Sequence, residues 1–399
     1  MSWRQWVAVF LLFVLLGLRQ IPRLPLTTQI TAHNDLDGFM KLRGIESNPT
    51  LGGALRWFVG DDPQGVHTFR PLPALTLLVE YLLWGYRWFP YQVMNLIYFV
   101  LTGMVLTRFC LLLGFPFPFA LGSGAMLMAQ KTRGAEAVLR LAGTRHDLLC
   151  VLFSLLALLQ LVNFLEKKGG GSALLLYAFW TLLAYLSKEM TLALTLLCFF
   201  IIVMERYRGV ARRETWRATL VTAGVACAWM IWYHFAEQNM AEIADSSHSF
   251  AGWWHLLVKR WPRPLWFFLC SMNDSAAKVY MLTRLLSPGA LIIYRFFLPA
   301  LLKTWWFAFC VTVLVVWRRW WLAVVFAWKA FTYLPVLPLS ETWPWHVYMP
   351  HVLDPLLSTG AAWCLWERMG LKDAVAPYLQ GKKVRLWQVK CSYPRLPDG

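Results

Sequence analysis

Asp35 and Asp37, two aspartates separated by one residue in TAHNDLDGFMKLRG, are the first residues whose types and spacing can do chemistry. Such a D-x-D pair serves in one of two ways. Both carboxylates hold a divalent metal with a phosphate, or one takes a proton while the other orients it. The spacing leaves both open, with a solvated turn as the bland alternative. Asp61-Asp62-Pro63, in the same polar stretch, reads more plainly as a turn. Arg70 stands just before Pro71, where the next apolar segment begins. Arginine gives a phosphate planar, two-pronged recognition, and it also snorkels at interfaces.

A second polar connection holds Glu136 and Thr144-Arg145-His146-Asp147. Lys188-Glu189 is the sharpest pair, two opposite charges inside a greasy hairpin. Charges at membrane depth are costly and generally face a cavity or a partner. His346, Tyr348 and His351, in WPWHVYMPH, lie at the mouth of a later hairpin.

The elements that must position these residues are apolar helices. The 399-residue chain is 58% hydrophobic and only 15% charged. Soluble domains carry about 45–50% apolar and about 25% charged residues, so this composition belongs to a polytopic membrane protein. The 24 Trp and 14 Tyr suit headgroup-level anchoring. The net charge of +17 comes in short bursts between apolar runs, with no basic helix interleaved by aromatics, so no nucleic-acid partner is expected. The eight cysteines are scattered singly, which excludes a redox motif, a zinc knuckle and a disulfide framework.

Residues 3–18 resemble a signal peptide without a small-x-small cleavage site and read as an uncleaved anchor. Spans follow at 91–113, 115–130, 148–165, 173–186, 190–204, 218–235, 296–317, 321–337 and 350–366, with 71–84 short for a crossing. The expected fold is therefore all-α and polytopic, with roughly ten transmembrane helices. One transmembrane domain occupies 1–366, with a long first extracytoplasmic loop at 19–70 and a second long outer loop at 236–288. A basic tail follows at 367–399. Clusters at Arg206–Arg217, Arg318-Arg319 and the tail lead to the expectation of a cytoplasmic N-terminus and C-terminus. The expected location of this multi-pass chain is the cell (inner) membrane.

The order of motifs resembles the GT-C superfamily of integral membrane glycosyltransferases, in particular the bacterial relatives of the protein O-mannosyltransferase-like branch. NDLDG in the first outer loop is followed by FRPLPALTLLVEYLLWGYRWFPYQVMNLIYFVL, similar to the family's R-P-L, W-G, P-x-x-Y/F and N-L pattern. EAVLRLAGTRHDLL is similar to E-A-V and G-R-x-D-L-L, AYLSKEMTLAL to L-S-K-E, and WPWHVYMP to E-R-Y-x-Y-x-P. The chain departs from that pattern at His346, at Gln130-Lys131, and at Thr144, which splits Gly143 from Arg145.

The resemblance implies a GT-C-like bundle that transfers a sugar from a polyprenyl-phosphate donor to a hydroxyl or amine of a protein, lipid or glycan acceptor. It implies Asp35 as general base, with Asp37 as second carboxylate or metal ligand if a divalent metal takes part; no other cofactor is called for. Arg70, Arg145, Lys188 and His346 are the expected donor-phosphate ligands. Asp147, Glu189, Glu136 and Tyr348 are expected to orient them. A flippase or carrier of lipid-linked saccharides would also want a basic cavity and a greasy groove, though the chain shows no internal repeat. A non-catalytic relative is the third reading.

Overall fold

The computed structural model describes residues 2–19, 29–31, 35–60, 63, 69–129, 138–166, 170–238, 309–310, 313, 321–333 and 351–369. These are all helical apart from turns and one isolated bridge between Gln29 and Arg87. In order the helices are α1 (Trp3–Leu18), α2 (Leu36–Glu46), α3 (Leu51–Arg56), α4 (Pro71–Trp84), α5 (Trp88–Leu112) and α6 (Phe117–Ala129). Then come α7 (Arg145–Leu165), α8 (Gly170–Ser187), α9 (Ala193–Tyr207), α10 (Arg212–Gln238), α11 (Trp321–Tyr333) and α12 (Asp354–Arg368).

Four of them, α5, α7, α8 and the stretch Arg212–Ala236 of α10, are long and apolar enough to cross a membrane. α1, α4, α6 and residues 323–332 of α11 are shorter apolar helices. The expected span at 296–317, apart from Phe309, Cys310 and Val313, and the outer loop 236–288 beyond Gln238 lie outside the described residues, as does the tail beyond Met369.

α7 is the central element. Almost every one of its side chains is buried, against α5 on one side and α8 on another. Lipid tails are as apolar as leucine, so such helices associate by close packing and polar contacts rather than by escape from water. Both devices are present. An added Cβ at Gly124 of α6 would lie 2.8 Å from the Gly103 carbonyl of α5, so these two helices meet at their glycines. Ser123 and Thr359 join α6 to α12 at 2.6 Å, and Tyr177 and Thr222 join α8 to α10 at 2.7 Å. Buried Lys329 of α11 pairs with Asp354 at the start of α12 at 2.7 Å, and His351 Nδ1 reaches the same carboxylate at 2.6 Å.

The first polar stretch is more structured than its composition suggests. Phe39, Leu42 and Ile45 recur every third residue, and Asp35 caps the first turn, so 36–46 folds as a helix rather than a loop. Leu42 and Ile45 join Ala54, Trp57, Leu77, Trp88 and Tyr91 in a small core of their own. Trp232 Nε1 of α10 donates to the Phe58 carbonyl at 2.6 Å and ties the far side of the bundle to this cap. The second polar connection is shorter than expected, because α7 already begins at Arg145. Charges in that first turn find partners inside the bundle, so the helix starts before its apolar run does.

Candidate functional site

The site is built where the cap meets the N-terminal turn of α7. Asp35 is the N-cap of α2, and its Oδ1 accepts the Gly38 N–H at 2.9 Å. Its Oδ2 accepts the Ala142 N–H at 2.6 Å and the Gly143 N–H at 3.4 Å. This carboxylate is 3% exposed and fastens the start of α2 to the turn that leads into α7. Burial pushes its pKa up, against the pull of the backbone donors, and repulsion from Asp37 adds to the rise.

Asp37, one turn into α2, has a different setting. Its side chain is 36% exposed, and Lys41, one turn on, reaches Oδ2 at 3.2 Å. The same ammonium donates to the Gly143 carbonyl at 3.0 Å. Burial works to raise the Asp37 pKa, but Lys41, and then His146 and Arg70, outweigh it and hold the carboxyl below the ordinary aspartate value. Gly143 is required by proximity: an added Cβ would sit 2.6 Å from the Asp37 Cβ and equally close to the Gly38 nitrogen.

A relay of charge runs on from there. His146 Nε2 lies 3.5 Å from an Arg70 guanidinium nitrogen and 3.0 Å from Asp147 Oδ2. Asp147 Oδ1 in turn accepts from Lys188 Nζ at 2.5 Å. His146 Nδ1 is buried with no hydrogen-bond partner among the described residues. Three cations (Lys41, Arg70 and Lys188) thus stand with three carboxylates (Asp35, Asp37 and Asp147), of which Asp35 is held by backbone N–H groups. Of the three cations, Arg70 faces the His146 ring, and its guanidinium is of the type that pairs with an anion.

Arg145 is not part of this group. It is fully buried and turned the other way, donating to Glu80, to Asn95 Oδ1 at 3.0 Å and to the Tyr91 carbonyl at 3.2 Å. Asn95 holds the Val138 and Leu141 carbonyls at 3.1 and 3.0 Å, so Arg145, Glu80 and Asn95 together brace the turn that carries Gly143. The guanidinium expected on a donor phosphate is committed to the scaffold, and so is Asp35.

Asp37, Arg70, Asp147 and Lys188 are brought together as expected residues of one site. Glu189 begins a short 3-10 turn, Glu189–Leu192, after Lys188, and its side chain is not described. Glu136, His346, Tyr348, Asp61 and Asp62 lie outside the described residues. Lys41 went unread in the sequence, and His146 was named in its polar stretch without a role. The Lys41 signal was the i, i+4 spacing from Asp37.

The metal alternative for the aspartate pair fits poorly. The Asp35 oxygens are taken by three backbone donors, and Asp37 faces an ammonium that repels a cation. Among the described residues no group of three or more His, Cys, Asp or Glu is placed to hold a metal. No protein-family model matches the chain, and no curated protein matches it.

Proposed function

We propose that this chain is an integral membrane glycosyltransferase, moving a sugar from a polyprenyl-phosphate donor to an extracytoplasmic hydroxyl or amine. Asp37 is the general base. The observation that carries this reading is the partly exposed Asp37 carboxylate with Lys41, His146 and Arg70 around it, at the end of an apolar bundle. An apolar bundle can hold an isoprenoid tail, and the cations can receive the charge its phosphate acquires.

In the reaction the acceptor lone pair attacks the anomeric carbon while its proton passes to Asp37. The bond from that carbon to the phosphate oxygen breaks, and polyprenyl phosphate leaves with the electron pair. Arg70 and Lys41 take up the growing negative charge. Lys188 acts through Asp147 to set His146, and Asp35 acts through the backbone to set Asp37. The cations keep Asp37 ionised but weakly basic. A bound phosphate competes for those cations, which makes Asp37 a better base when there is something to deprotonate.

The reading carries a topology of roughly ten spans with the Asp37 end outside. Its support is the Arg206, Arg208, Arg212, Arg213 and Arg217 cluster between α9 and α10, at the opposite end from Lys188. The test is incubation of the purified protein with short-chain polyprenyl-phosphate sugars and candidate acceptors, followed by mass spectrometry. Donor consumption with matching acceptor modification is expected. Transbilayer movement of the donor without consumption would replace this reading with a lipid-linked saccharide carrier.

A further inference from the structure

A groove of about 600 Å³ lies between α1, α5 and α7, lined by Trp6, Leu101, Met104, Val105, Arg108 and Leu159. Its volume falls within the roughly 300–1,000 Å³ of small-molecule sites. Four of the lining residues, 101, 104, 105 and 108, share one face of α5. Along that face three apolar side chains run up to a single charge. Arg108 is exposed and makes no hydrogen bond or ion pair among the described residues.

This groove is separate from the charged cluster. Asn95, which holds Arg145, is thirteen residues earlier on α5, and at 1.5 Å per residue Arg108 is about 20 Å further along the helix. Arg108 therefore lies toward the end that also carries Arg4 and the basic turn between α9 and α10.

We propose that this groove is a binding site for one anionic phospholipid, with an acyl chain laid along Leu101, Met104 and Val105 and the headgroup phosphate on Arg108. A guanidinium at the end of an apolar stripe matches a molecule with a phosphate at the end of a hydrocarbon chain, since its forked donors pair with phosphate oxygens. Trp6, half-buried at the rim, supplies the amphipathic ring favoured at headgroup level. A free phosphate would leave the apolar stripe unused. A sugar donor with its phosphate at the Asp37 cluster would have it some 20 Å away by the same helix rise.

The experiment reconstitutes the full chain in phosphatidylcholine bilayers containing trace spin-labelled phosphatidylglycerol or, separately, spin-labelled phosphatidylcholine. The immobilised fraction is then measured by electron paramagnetic resonance. Wild type is expected to immobilise phosphatidylglycerol selectively. Arg108→Gln is expected to weaken that selectivity about ten-fold, the worth of one charge-assisted hydrogen bond, and Arg108→Lys less. Val105→Trp keeps the charge and fills the groove, and should remove the excess of phosphatidylglycerol over phosphatidylcholine in the immobilised component. Equal immobilisation of the two lipids by wild type would overturn the proposal, as would unchanged selectivity in both Arg108→Gln and Val105→Trp. So would displacement of the lipid by inorganic phosphate alone, or a change confined to self-association of the chain.

Discussion

Asp35 Oδ2 accepts the Ala142 N–H at 2.6 Å, across 107 positions of sequence, while Oδ1 of the same group accepts the Gly38 N–H. Both oxygens are needed as acceptors. Asparagine offers one oxygen, and its amide would face a donor with a donor. Asp35→Asn is therefore expected to lower stability by about 1–3 kcal/mol, the cost of an unsatisfied buried group. The readout is the thermal midpoint of the detergent-solubilised protein. An unchanged midpoint would remove the fastening role.

The two aspartates should respond to acid in opposite senses. The folded-state pKa of Asp37 lies below its ordinary value of 3.8, so its contribution is full above that value and is lost as pH falls through the folded pKa. The pKa of Asp35 is raised, so the folded chain takes up that proton at higher pH than the unfolded chain, and acid favours folding there. The stability gap between wild type and Asp37→Asn is expected to be constant above pH 3.8 and to narrow below it. Melting profiles against pH would show this, and a gap that widens with acid would contradict it.

Arg145 and Glu80 are both buried and paired. Arg145→Ala leaves the carboxylate buried without its cation, which costs about 3–5 kcal/mol. A double variant, Glu80→Leu with Arg145→Met, removes both charges and should melt closer to wild type than either single change. If the double variant is the least stable of the three, the pair contributes by attraction rather than by mutual neutralisation.

Gly143→Ala tests the close approach of the α7 turn to α2. The new Cβ has no space beside Asp37 and the Gly38 backbone, so the two segments must separate. The Lys41 bond to the Gly143 carbonyl would be strained with them. Sugar transfer is expected to fall by about two orders of magnitude, as for an ångström-scale misplacement of a reacting group. Wild-type turnover in this variant would mean that the turn does not position Asp37.

Much of the helical body was legible because apolar runs declare themselves: α5, α7, α8 and α10 lie within a few residues of the expected spans. The site was legible in membership more than in role. Successive helical residues point about 100° apart, so Arg145, His146 and Asp147 fan out to different neighbours. Sequence gives no means of knowing that Arg145 meets Glu80 while Asp147 meets Lys188. A two-residue spacing could not separate Asp35 from Asp37 either. Their separation comes from the Ala142-Gly143 backbone, which takes one carboxylate and leaves the other partly exposed. Helix α2 was hidden by its polar composition and shows itself only through the three-residue recurrence of Phe39, Leu42 and Ile45.

The most direct test of the account is the turnover of Asp37→Asn with a short-chain polyprenyl-phosphate sugar, measured beside its donor affinity and its thermal midpoint. Asp37 as base predicts a fall of about two to four orders of magnitude in turnover. Donor affinity should hold or tighten, because a carboxylate has been removed from beside the phosphate cations, and the fold should be retained. Near-normal turnover by Asp37→Asn would contradict it, and loss of turnover in an Asp35→Asn protein that melts like wild type would then move the role to Asp35.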